Sequence, residues 1–329
     1  MIGYSSGKAP FPTLVREAYS LYRYSRKIPE RVQASIDDVR RLEALLSERF
    51  GLKLRDLDVL EVGPGQFLSQ MRCLAAQNRV VGIDLDIIVQ GFRPLAYITM
   101  LRENGLRRTV KTIGRKVLGA DRRFAAEMKL RLGTSRLPKL KILQMDTCQM
   151  TFADASFDFV HARSVLHHLP DPGAAVEGIV RVLRPGGAAY ILLHLYTSET
   201  GCLDPRIYTE RRSETRGWPH LRPQLRNTLA NQNTYVNKLR LREWHKLFAA
   251  KLPDAECVTT RSDSATIEMA KSLQRQGELL DYSIEELTTV DLAVLWRKPL
   301  ASEPNLQLRA QDALTLDCPF GRGQLDKSK

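Results

Sequence analysis

The spacing of apolar residues changes abruptly near residue 56. Before that point, apolar positions 36, 39, 42, 45 and 46 recur every three or four residues, which predicts an amphipathic helix over 36–50 that ends at Gly51. After it come short, nearly continuous apolar runs, beginning with LDVLEV at 57–62. Such runs are typical of strands buried on both faces of a parallel sheet. The pattern therefore predicts a helical segment followed by an α/β domain.

Further runs continue this alternation of strands and helices. The other predicted strands are 79–85, 141–145, 157–162, 188–196, 256–261 and 289–299. The predicted helices are 66–77, 173–183, 241–251 and a segment near 266–280. We expect the RPGG sequence at 184–187 to end the helix before it, since glycine is common at helix ends. This order predicts a Rossmann-like, doubly wound, mostly parallel sheet of seven strands.

Two segments are longer than such a sheet requires, because a crossover needs only about a dozen residues. The first insertion, about 87–138, is divided by Pro94 and several glycines and is predicted to form three short basic helices. The second insertion contains Trp218, a candidate lid residue. The expected organisation is an N-terminal helical cap at 1–55, the α/β domain at 56–299 with its second insertion at 197–239, and an irregular tail at 300–329.

The positive charge of the chain is concentrated in the first insertion. The net charge is +13, and residues 102–141 contain thirteen Lys and Arg against three acids. Such a patch favours an anionic partner, namely a phosphorylated substrate, nucleic acid or a membrane surface, although a solvated helical face explains it as well. Apolar residues at 101, 106, 110, 113, 117 and 118 recur at helical spacing. We expect them to dock this segment on the core as a cap over the sheet's carboxyl edge, with a peripheral membrane anchor as the alternative.

Composition argues against several other classes of protein. No run of apolar residues approaches the roughly 18–20 that span a bilayer, and the N-terminus lacks the apolar core of a signal peptide. The five cysteines are scattered and form no CxxC pair, so neither a disulfide framework nor a metal site is supported. We therefore expect a cytoplasmic protein with no integral membrane segment and no bound metal.

The first candidate for chemistry is the turn VLEVGPGQF, which follows the first strand. Gly63 and Gly65 allow the backbone to turn sharply and approach a ligand, and Glu61 can accept a hydrogen bond from an ammonium group. A dinucleotide fingerprint needs a third glycine where Leu68 stands, which argues against NAD. Asp84, at the end of the second strand, is placed to accept hydrogen bonds from ribose hydroxyls.

Five motifs occur in the order typical of one family. They are VLEVGPGQF, VVGIDLD, LQMDTCQMTFADASFDFV, VLHHLPDP and RVLRPGGAAYI. In these motifs the sequence resembles the class I S-adenosylmethionine-dependent methyltransferases, particularly the type 11 methyltransferase domain family. The resemblance covers about 57–196 without the basic insertion and, more loosely, 240–299. It implies S-adenosyl-L-methionine as cofactor and S-adenosyl-L-homocysteine as product.

The resemblance also implies which residues bind the cofactor. Glu61 would serve the methionyl amino group, and the two glycines would pass beside the methionine. Asp84 would hold the ribose, and Asp146 would meet the adenine amino group with Thr147 near the ring. One departure is Phe67, where the family commonly has a small residue. The full implied set is Glu61, Gly63, Gly65, Asp84, Leu85, Asp146 and Thr147.

Methyl transfer requires mainly alignment, since the sulfonium is already an activated donor. If the acceptor is a hydroxyl, a general base helps, and histidine suits neutral pH. His167 and His168 follow the fourth strand, where the resemblance places the substrate cavity, and His194 lies near the end of the fifth. His167 is the first candidate, followed by His168 and His194, and a packing or helix-start role is the alternative.

These features predict a methyltransferase for a small-molecule or saccharide-like acceptor that is anionic, phosphorylated or lipid-linked. The alternative is an RNA methyltransferase whose basic insertion binds phosphates. Against it, the fourth strand leads into HARSVLHHL and not into an Asn/Asp-Pro-Pro-aromatic turn. A third hypothesis, a binding module without activity, is disfavoured by the complete set of cofactor residues.

Overall fold

A computed structural model describes residues 26–91, 93–203, 217–228 and 235–300 of the chain. The strands are β1 Asp58–Val62, β2 Arg79–Asp84, β3 Lys141–Gln144, β4 Phe157–Arg163, β5 Leu183–His194, β6 Glu256–Arg261 and β7 Thr289–Arg297. The helices are α1 Ile28–Phe50, α2 Ser69–Leu74, α3 Pro94–Val117, α4 Ala120–Leu132, α5 Pro172–Val182, α6 Leu241–Lys251, α7 Ser264–Arg275 and α8 Ile284–Thr288. The compact unit that contains the sheet ends at Lys298, and the predicted tail from 301 onward lies outside the described residues, as does 1–25.

The seven strands form one sheet in the order β3-β2-β1-β4-β5-β7-β6. Strands β1 to β5 pair in parallel, and β7 runs antiparallel to its neighbours β5 and β6. The predicted Rossmann-like fold of seven mostly parallel strands is therefore confirmed. Because the chain progresses outward in both directions from β1 and β4, the crevice beyond their carboxyl ends is the point where such sheets bind ligands.

The helix after β1 is shorter than its predicted range of 66–77. Helix α2 begins at Ser69 because the preceding residues form a turn, in which Leu68 has a φ of 55°. A left-handed residue cannot continue a regular helix, so the glycine turn extends further than its two glycines. The local apolar pattern does not reveal this conformation.

The RPGG sequence does not end a helix as predicted. Helix α5 ends at Val182, and Leu183 is already extended, with φ −72° and ψ 137°. RPGG lies within β5, where the pairing between β4 and β5 shifts register. Pro185 explains the difference, because it lacks an N–H and disfavours a helical conformation in Arg184 before it.

The basic insertion forms α3 and α4, and its predicted division into three helical segments is largely confirmed. Pro94 begins α3, Gly105 interrupts it with φ 79° and ψ 166°, and Gly119 separates it from α4. Gly133 follows α4 in a left-handed conformation, whereas Gly114 lies inside a regular turn. Like every other helix in the described ranges, α3 is not long and apolar enough to cross a membrane.

Apolar side chains cover both faces of the sheet. Leu60 of β1 belongs to a cluster with α5 and α6, and its neighbour Val59 belongs to a second cluster with α1 and α2. This alternation is expected because successive strand residues point to opposite faces. Trp244 and Trp296 are buried in the first cluster, in agreement with their predicted core role.

Trp218 is a buried core residue and not a lid residue as the sequence suggested. Its side chain is fully buried among Leu221, Ala270 and Leu287. The indole N–H donates a hydrogen bond to the carbonyl of Thr197 at 3.0 Å. The sequence did not indicate this separate apolar cluster, because the second insertion around Trp218 contains few apolar residues.

Candidate active site

The carboxyl ends of the central strands bring the predicted cofactor residues together. The N–H of Gly63 donates to the carbonyl of Ile83 at 2.8 Å, which places the glycine turn beside the end of β2. The N–H of Met145 donates to the carbonyl of Asp84 at 3.0 Å, which places the end of β3 beside β2 in the same way. The glycine turn, Asp84 and Asp146 therefore follow one another along this edge.

The two glycines of the turn meet different surroundings. Gly63 and Gly65 have φ of 62° and 65°, a region that other residues rarely adopt. A Cβ on Gly63 would lie 2.3 Å from Cγ2 of Val165, whereas a Cβ on Gly65 would meet no atom within 4 Å. Gly63 is therefore required by packing, and Gly65 borders open space into which a ligand can fit.

The carboxylate of Asp84 lies at the end of β2 and is held by the residues that follow. Its Oδ1 accepts a hydrogen bond from the N–H of Asp86 at 2.9 Å. Burial raises the pKa of Asp84 to about 6, although the bond from Asp86 and the charge of Arg108 oppose the shift. A carboxylate offers about four acceptor positions, so this bond leaves capacity for ligand hydroxyls. The side chain of Leu85 beside it is exposed.

Asp146 caps the short 3-10 turn Thr147–Gln149 that follows β3. Its Oδ1 accepts a hydrogen bond from the N–H of Cys148 at 2.8 Å, and Thr147 is buried. Burial and the negative charge of Asp146 raise the pKa of Cys148 to about 11. Cys148 is therefore a neutral thiol at physiological pH, and the charged acceptor at this end of β3 is the carboxylate of Asp146.

Glu61 is held from the neighbouring strand by a histidine that the sequence analysis did not identify. Nδ1 of His161 donates to Oε2 of Glu61 at 2.7 Å, and both side chains are buried. The ring of His161 stacks on that of Tyr190, with centroids 5.7 Å apart and planes within 5°. His161 could be identified only from its position opposite Glu61 in the paired strands β1 and β4, and the sequence does not give that register.

His167 lies in the 3-10 turn Leu166–His168 after β4 and is buried. Its Nδ1 accepts a hydrogen bond from the backbone N–H of His194 at 3.2 Å. Burial is the main cause that lowers the pKa of His167 well below its usual value. The ring is therefore neutral, with its lone pair committed to His194 and its proton on Nε2.

His168 has the opposite tautomer. Its Nδ1 lies 2.8 Å from the carbonyl oxygen of Tyr235, and a carbonyl can only accept, so Nδ1 carries the proton. The lone pair of the neutral ring is then on Nε2. Burial is the main cause that lowers the pKa of His168, which favours the neutral form near pH 7. This combination of tautomer and charge is the one that a general base requires.

His194 is bonded at both ring nitrogens. Its Nδ1 lies 2.8 Å from Oδ1 of Asp291, and its Nε2 lies 2.8 Å from Oγ1 of Thr200 and 3.3 Å from Oγ of Ser198. The ring centroid of His167 lies 4.1 Å from that of His168 and 6.4 Å from that of His194. The structure thus brings the three predicted histidines together, each with different partners.

Asn237 holds the histidine turn and was missed by sequence reasoning. Its side-chain amide donates to the carbonyls of Leu166 and Leu169 at 2.9 and 3.1 Å. Its backbone N–H donates to the carbonyl of His167 at 3.0 Å. Asn237 comes from the second insertion, so no motif around the histidines points to it.

A cavity of about 250 Å³ lies beside the glycine turn but is separate from the predicted site residues. Its walls include Phe67, Gly91, Lys116 and Phe124. None of the predicted cofactor residues or histidines lines it. Over the parts of the chain that the structure describes, no group of three or more His, Cys, Asp or Glu residues is arranged to hold a metal ion.

Comparison with known sequences identifies the domain. A sequence model described as a methyltransferase domain, type 11, matches residues 104–191. This range runs from the middle of α3 to β5 and includes Asp146, Thr147, His167 and His168. Residues 104–191 thus match a methyltransferase domain, in agreement with the predicted class of S-adenosylmethionine-dependent methyltransferases. Domains of this family use S-adenosylmethionine as methyl donor.

Individual relatives cover only parts of the chain. An uncharacterised 37.1 kDa transposon protein of Streptomyces fradiae is 27% identical over 176 residues, which are 53% of this chain and 43% of that protein. The 27-O-demethylrifamycin SV methyltransferase of Amycolatopsis mediterranei is 48% identical over 42 residues, 13% of this chain and 15% of that enzyme. The chain thus spans less than half the length of these curated relatives.

Solved structures of methyltransferases resemble the chain at low sequence identity. Phosphoethanolamine N-methyltransferase 2 of Haemonchus contortus, solved with S-adenosyl-L-methionine, is 17% identical, with 79% of this chain and 52% of that chain covered. The TM-score is 0.43, and this likeness gives no information about the methyl acceptor of this chain.

The residues at the carboxyl edge fit S-adenosylmethionine by their chemistry. The cofactor presents an ammonium group, ribose hydroxyls and an adenine amino group, all of which donate hydrogen bonds. Glu61, Asp84 and Asp146 supply carboxylates, which accept them, and the open space at Gly65 leaves room beside the turn. The matched range begins after the glycine turn, and the cofactor roles of Glu61, Asp84 and Asp146 all stay predictions.

The two glycines provide a matched pair of substitutions. Gly63→Ala should destabilise the domain by roughly 1–3 kcal/mol more than Gly65→Ala, because both alanines adopt positive φ but only the first clashes with Val165. Urea denaturation of both variants measures the difference. Gly65→Ala should instead weaken binding of S-adenosylhomocysteine in calorimetry. Equal stability of the two variants would contradict the close contact at Gly63.

Asp84→Asn should raise the stability of the ligand-free domain and lower its affinity for S-adenosylhomocysteine. The pKa of the folded protein, about 6, lies above that of the unfolded chain, so the stability linked to this group is lost as pH rises through 6. The amide avoids this loss and should stabilise the ligand-free domain at pH 7.5 by roughly 1–3 kcal/mol, with little gain at pH 4.

The same variant should bind S-adenosylhomocysteine at least about tenfold more weakly, because a charged acceptor for the ribose is removed. Thermal melts at the two pH values and calorimetry at pH 7.5 measure both effects. A variant that is stabilised and binds as tightly as the wild type would mean that Asp84 does not contact the ribose.

Asn237→Asp should disturb the histidine turn specifically. The substitution keeps the side-chain size but removes the two N–H donors and leaves two carbonyls without them, a loss of about 1–3 kcal/mol. Asn78→Asp is the matched control, since Asn78 donates in the same way to the carbonyls of Leu54 and Leu74. Both variants should lose stability, but only Asn237→Asp should lower methyl transfer while S-adenosylhomocysteine affinity is kept. Equal activity of the two variants would limit Asn237 to a structural role.

Proposed function

We propose that this chain transfers the methyl group of S-adenosylmethionine to a hydroxyl group of a small, saccharide-like acceptor, with His168 as the general base. The observation that carries the proposal is the hydrogen bond from Nδ1 of His168 to the carbonyl of Tyr235, which leaves the lone pair on Nε2. A hydroxyl acceptor must lose its proton during transfer, and a neutral imidazole with its lone pair on Nε2 can accept it.

Each cofactor residue has a proposed role that follows from its chemistry. Glu61, held by His161, binds the ammonium group of the methionine moiety. Asp84 accepts hydrogen bonds from the ribose hydroxyls, with Leu85 beside it, and Asp146 accepts one from the adenine amino group near Thr147. When bound, the cofactor supplies an activated methyl group on its sulfonium. The chain itself orients that cofactor and receives the proton.

His168 is favoured over His167 because the two rings carry their protons on different nitrogens. Nδ1 of His167 already accepts from the backbone of His194, so the other nitrogen carries a proton and cannot act as a base without changing the tautomer. Nε2 of His194 lies within hydrogen-bond distance of the hydroxyls of Thr200 and Ser198. We propose that these two histidines position the turn that carries His168.

The RNA alternative has less support, because part of the positive charge is paired within the protein. Arg108 pairs with Asp86, Arg115 pairs with Asp121, and Arg131 pairs with Glu127. Charge that is neutralised internally contributes less to binding phosphates. The cytoplasmic location stays a prediction from the cysteines and the N-terminus.

The acceptor class can be tested with labelled cofactor. Incubation of the protein and isotopically labelled S-adenosylmethionine with a cell extract should place the label in molecules that pass a small-pore ultrafilter, and RNase treatment should not change its amount. Mass spectrometry of that fraction then identifies the product. Label that stays with RNase-sensitive material would contradict the proposed acceptor and favour the RNA alternative.

His168→Gln should lower methyl transfer by about 10²-fold or more, because the glutamine cannot accept the proton. The affinity for S-adenosylhomocysteine should be nearly unchanged. His245→Gln, an exposed histidine on α6, is the matched control and should keep full activity. Since the pKa of His168 is lowered, the base stays neutral above about pH 6.5, and the wild-type rate should fall only below that pH. An active His168→Gln variant would leave alignment alone as the mechanism.

A further inference from the structure

Helix α3 turns its apolar side chains outward. Leu106, Val110, Ile113 and Val117 recur at a spacing of three or four residues and so lie on one stripe of the helix, which we call the outer stripe. Their side chains are between 37% and 75% exposed. The expectation that these apolar residues dock the insertion on the core is therefore wrong. Leu101 and Leu118, which we also expected to pack on the core, are exposed as well.

The opposite side of α3 is polar and faces the protein. Asn104 donates its amide to the carbonyl of Ile87 and accepts from the N–H of the same residue, at 2.9 and 3.0 Å. Arg108 pairs with Asp86. Further along the helix Thr109, Thr112 and Arg115 are buried. The loop after β2 supplies the partners of Asn104 and Arg108, which helps to keep the polar side turned toward the protein.

Arg115 shows how firmly this orientation is fixed. Its guanidinium pairs with Asp121 at the start of α4 at 2.6 Å and lies over the ring of Phe67, 4.6 Å from the centroid. Turning the outer stripe inward would break these contacts and leave a buried charge without its partner, which is costly. The outward orientation of the stripe is thus a property of the folded insertion.

Exposed cations flank the exposed apolar residues. Arg102 and Lys111 lie on α3, and Arg122 and Arg123 lie on α4, all four exposed. Two acids of the segment are already paired with other arginines, Asp121 with Arg115 and Glu127 with Arg131. An amphipathic helix with exposed apolar residues between cations has the composition of a helix that lies in a membrane interface.

We propose that α3 docks this protein on an anionic lipid bilayer, with the outer stripe among the acyl chains and the neighbouring cations at the lipid phosphates. This proposal does not depend on the methyl acceptor. An RNA partner would use the cations but not the apolar stripe, because phosphates are bound by charge. A second copy of the chain would bring two strongly basic surfaces together, which repel each other.

Sedimentation with lipid vesicles tests the proposal on the full chain without cofactor. The protein should sediment with vesicles of phosphatidylcholine and phosphatidylglycerol and remain in solution with phosphatidylcholine alone. The variant Leu106→Gln/Val110→Gln/Val117→Gln should lose this binding by tenfold or more. Leu280→Gln, which changes an exposed leucine outside the insertion, should bind like the wild type.

The contribution of charge has its own pair of variants. Arg102→Glu/Lys111→Glu should weaken binding to the anionic vesicles by tenfold or more, since each cation near such a surface contributes several-fold in affinity. Arg242→Glu, at an exposed position on α6, should have a much smaller effect. Thermal melts and S-adenosylhomocysteine binding should be unchanged in all variants, which shows that a loss of vesicle binding is not a loss of folding.

Three outcomes would overturn the proposal. The wild type could fail to sediment with the anionic vesicles. Light scattering could show a dimer that the triple variant converts to a monomer, in which case a second copy covers the stripe. Binding that depends on the cations but not on the outer stripe, and that RNA competes for, would assign the surface to nucleic acid. Activity on a soluble acceptor would leave the docking result unaffected, so the two proposals can fail separately.

Discussion

The backbone at Gly63 passes so close to Val165 that no Cβ can be accommodated between them, and much of the site depends on this contact. Gly63 follows β1 and begins the glycine turn, while Val165 leads from β4 into the histidine turn. The contact joins the two segments at the point where the strand order reverses, which is where a sheet of this type has its ligand crevice. A shift of either segment would therefore move both the proposed cofactor residues and the proposed base.

Hydrogen bonds from distant segments give the three histidines different chemical states. The carbonyl of Tyr235 fixes the tautomer of His168, the backbone of His194 fixes that of His167, and Asp291 bonds to His194. Two of these partners, Tyr235 and Asp291, lie 67 or more residues beyond His168 in the chain, so the motif alone does not specify which nitrogen is basic. Asn237 adds a clamp on the same turn from the second insertion.

The basic insertion shows how a correct local prediction can lead to a wrong placement. Its breaks at Pro94, Gly105 and Gly119 follow from backbone restrictions and were predicted correctly. The helical spacing of its apolar residues was also correct, but spacing says only that they share a face. Which face is buried depends on the partners available, and here Asp86 and the backbone of Ile87 satisfy the polar side. The same contacts keep the insertion beside the end of β2, next to Asp84.

The sequence by itself determined the seven strands, their mostly parallel arrangement and the residues at their carboxyl ends, because apolar runs and glycine turns are local and each constrains its own segment. It could not reveal that His161 faces Glu61, since that pair depends on the register of two strands a hundred residues apart. Nor could it distinguish His168 from His167, because tautomers are set by neighbours that only the folded chain supplies. The direction in which α3 turns its apolar residues was likewise decided by tertiary contacts, which bury the side chain of Arg115 that local hydrophobicity would expose.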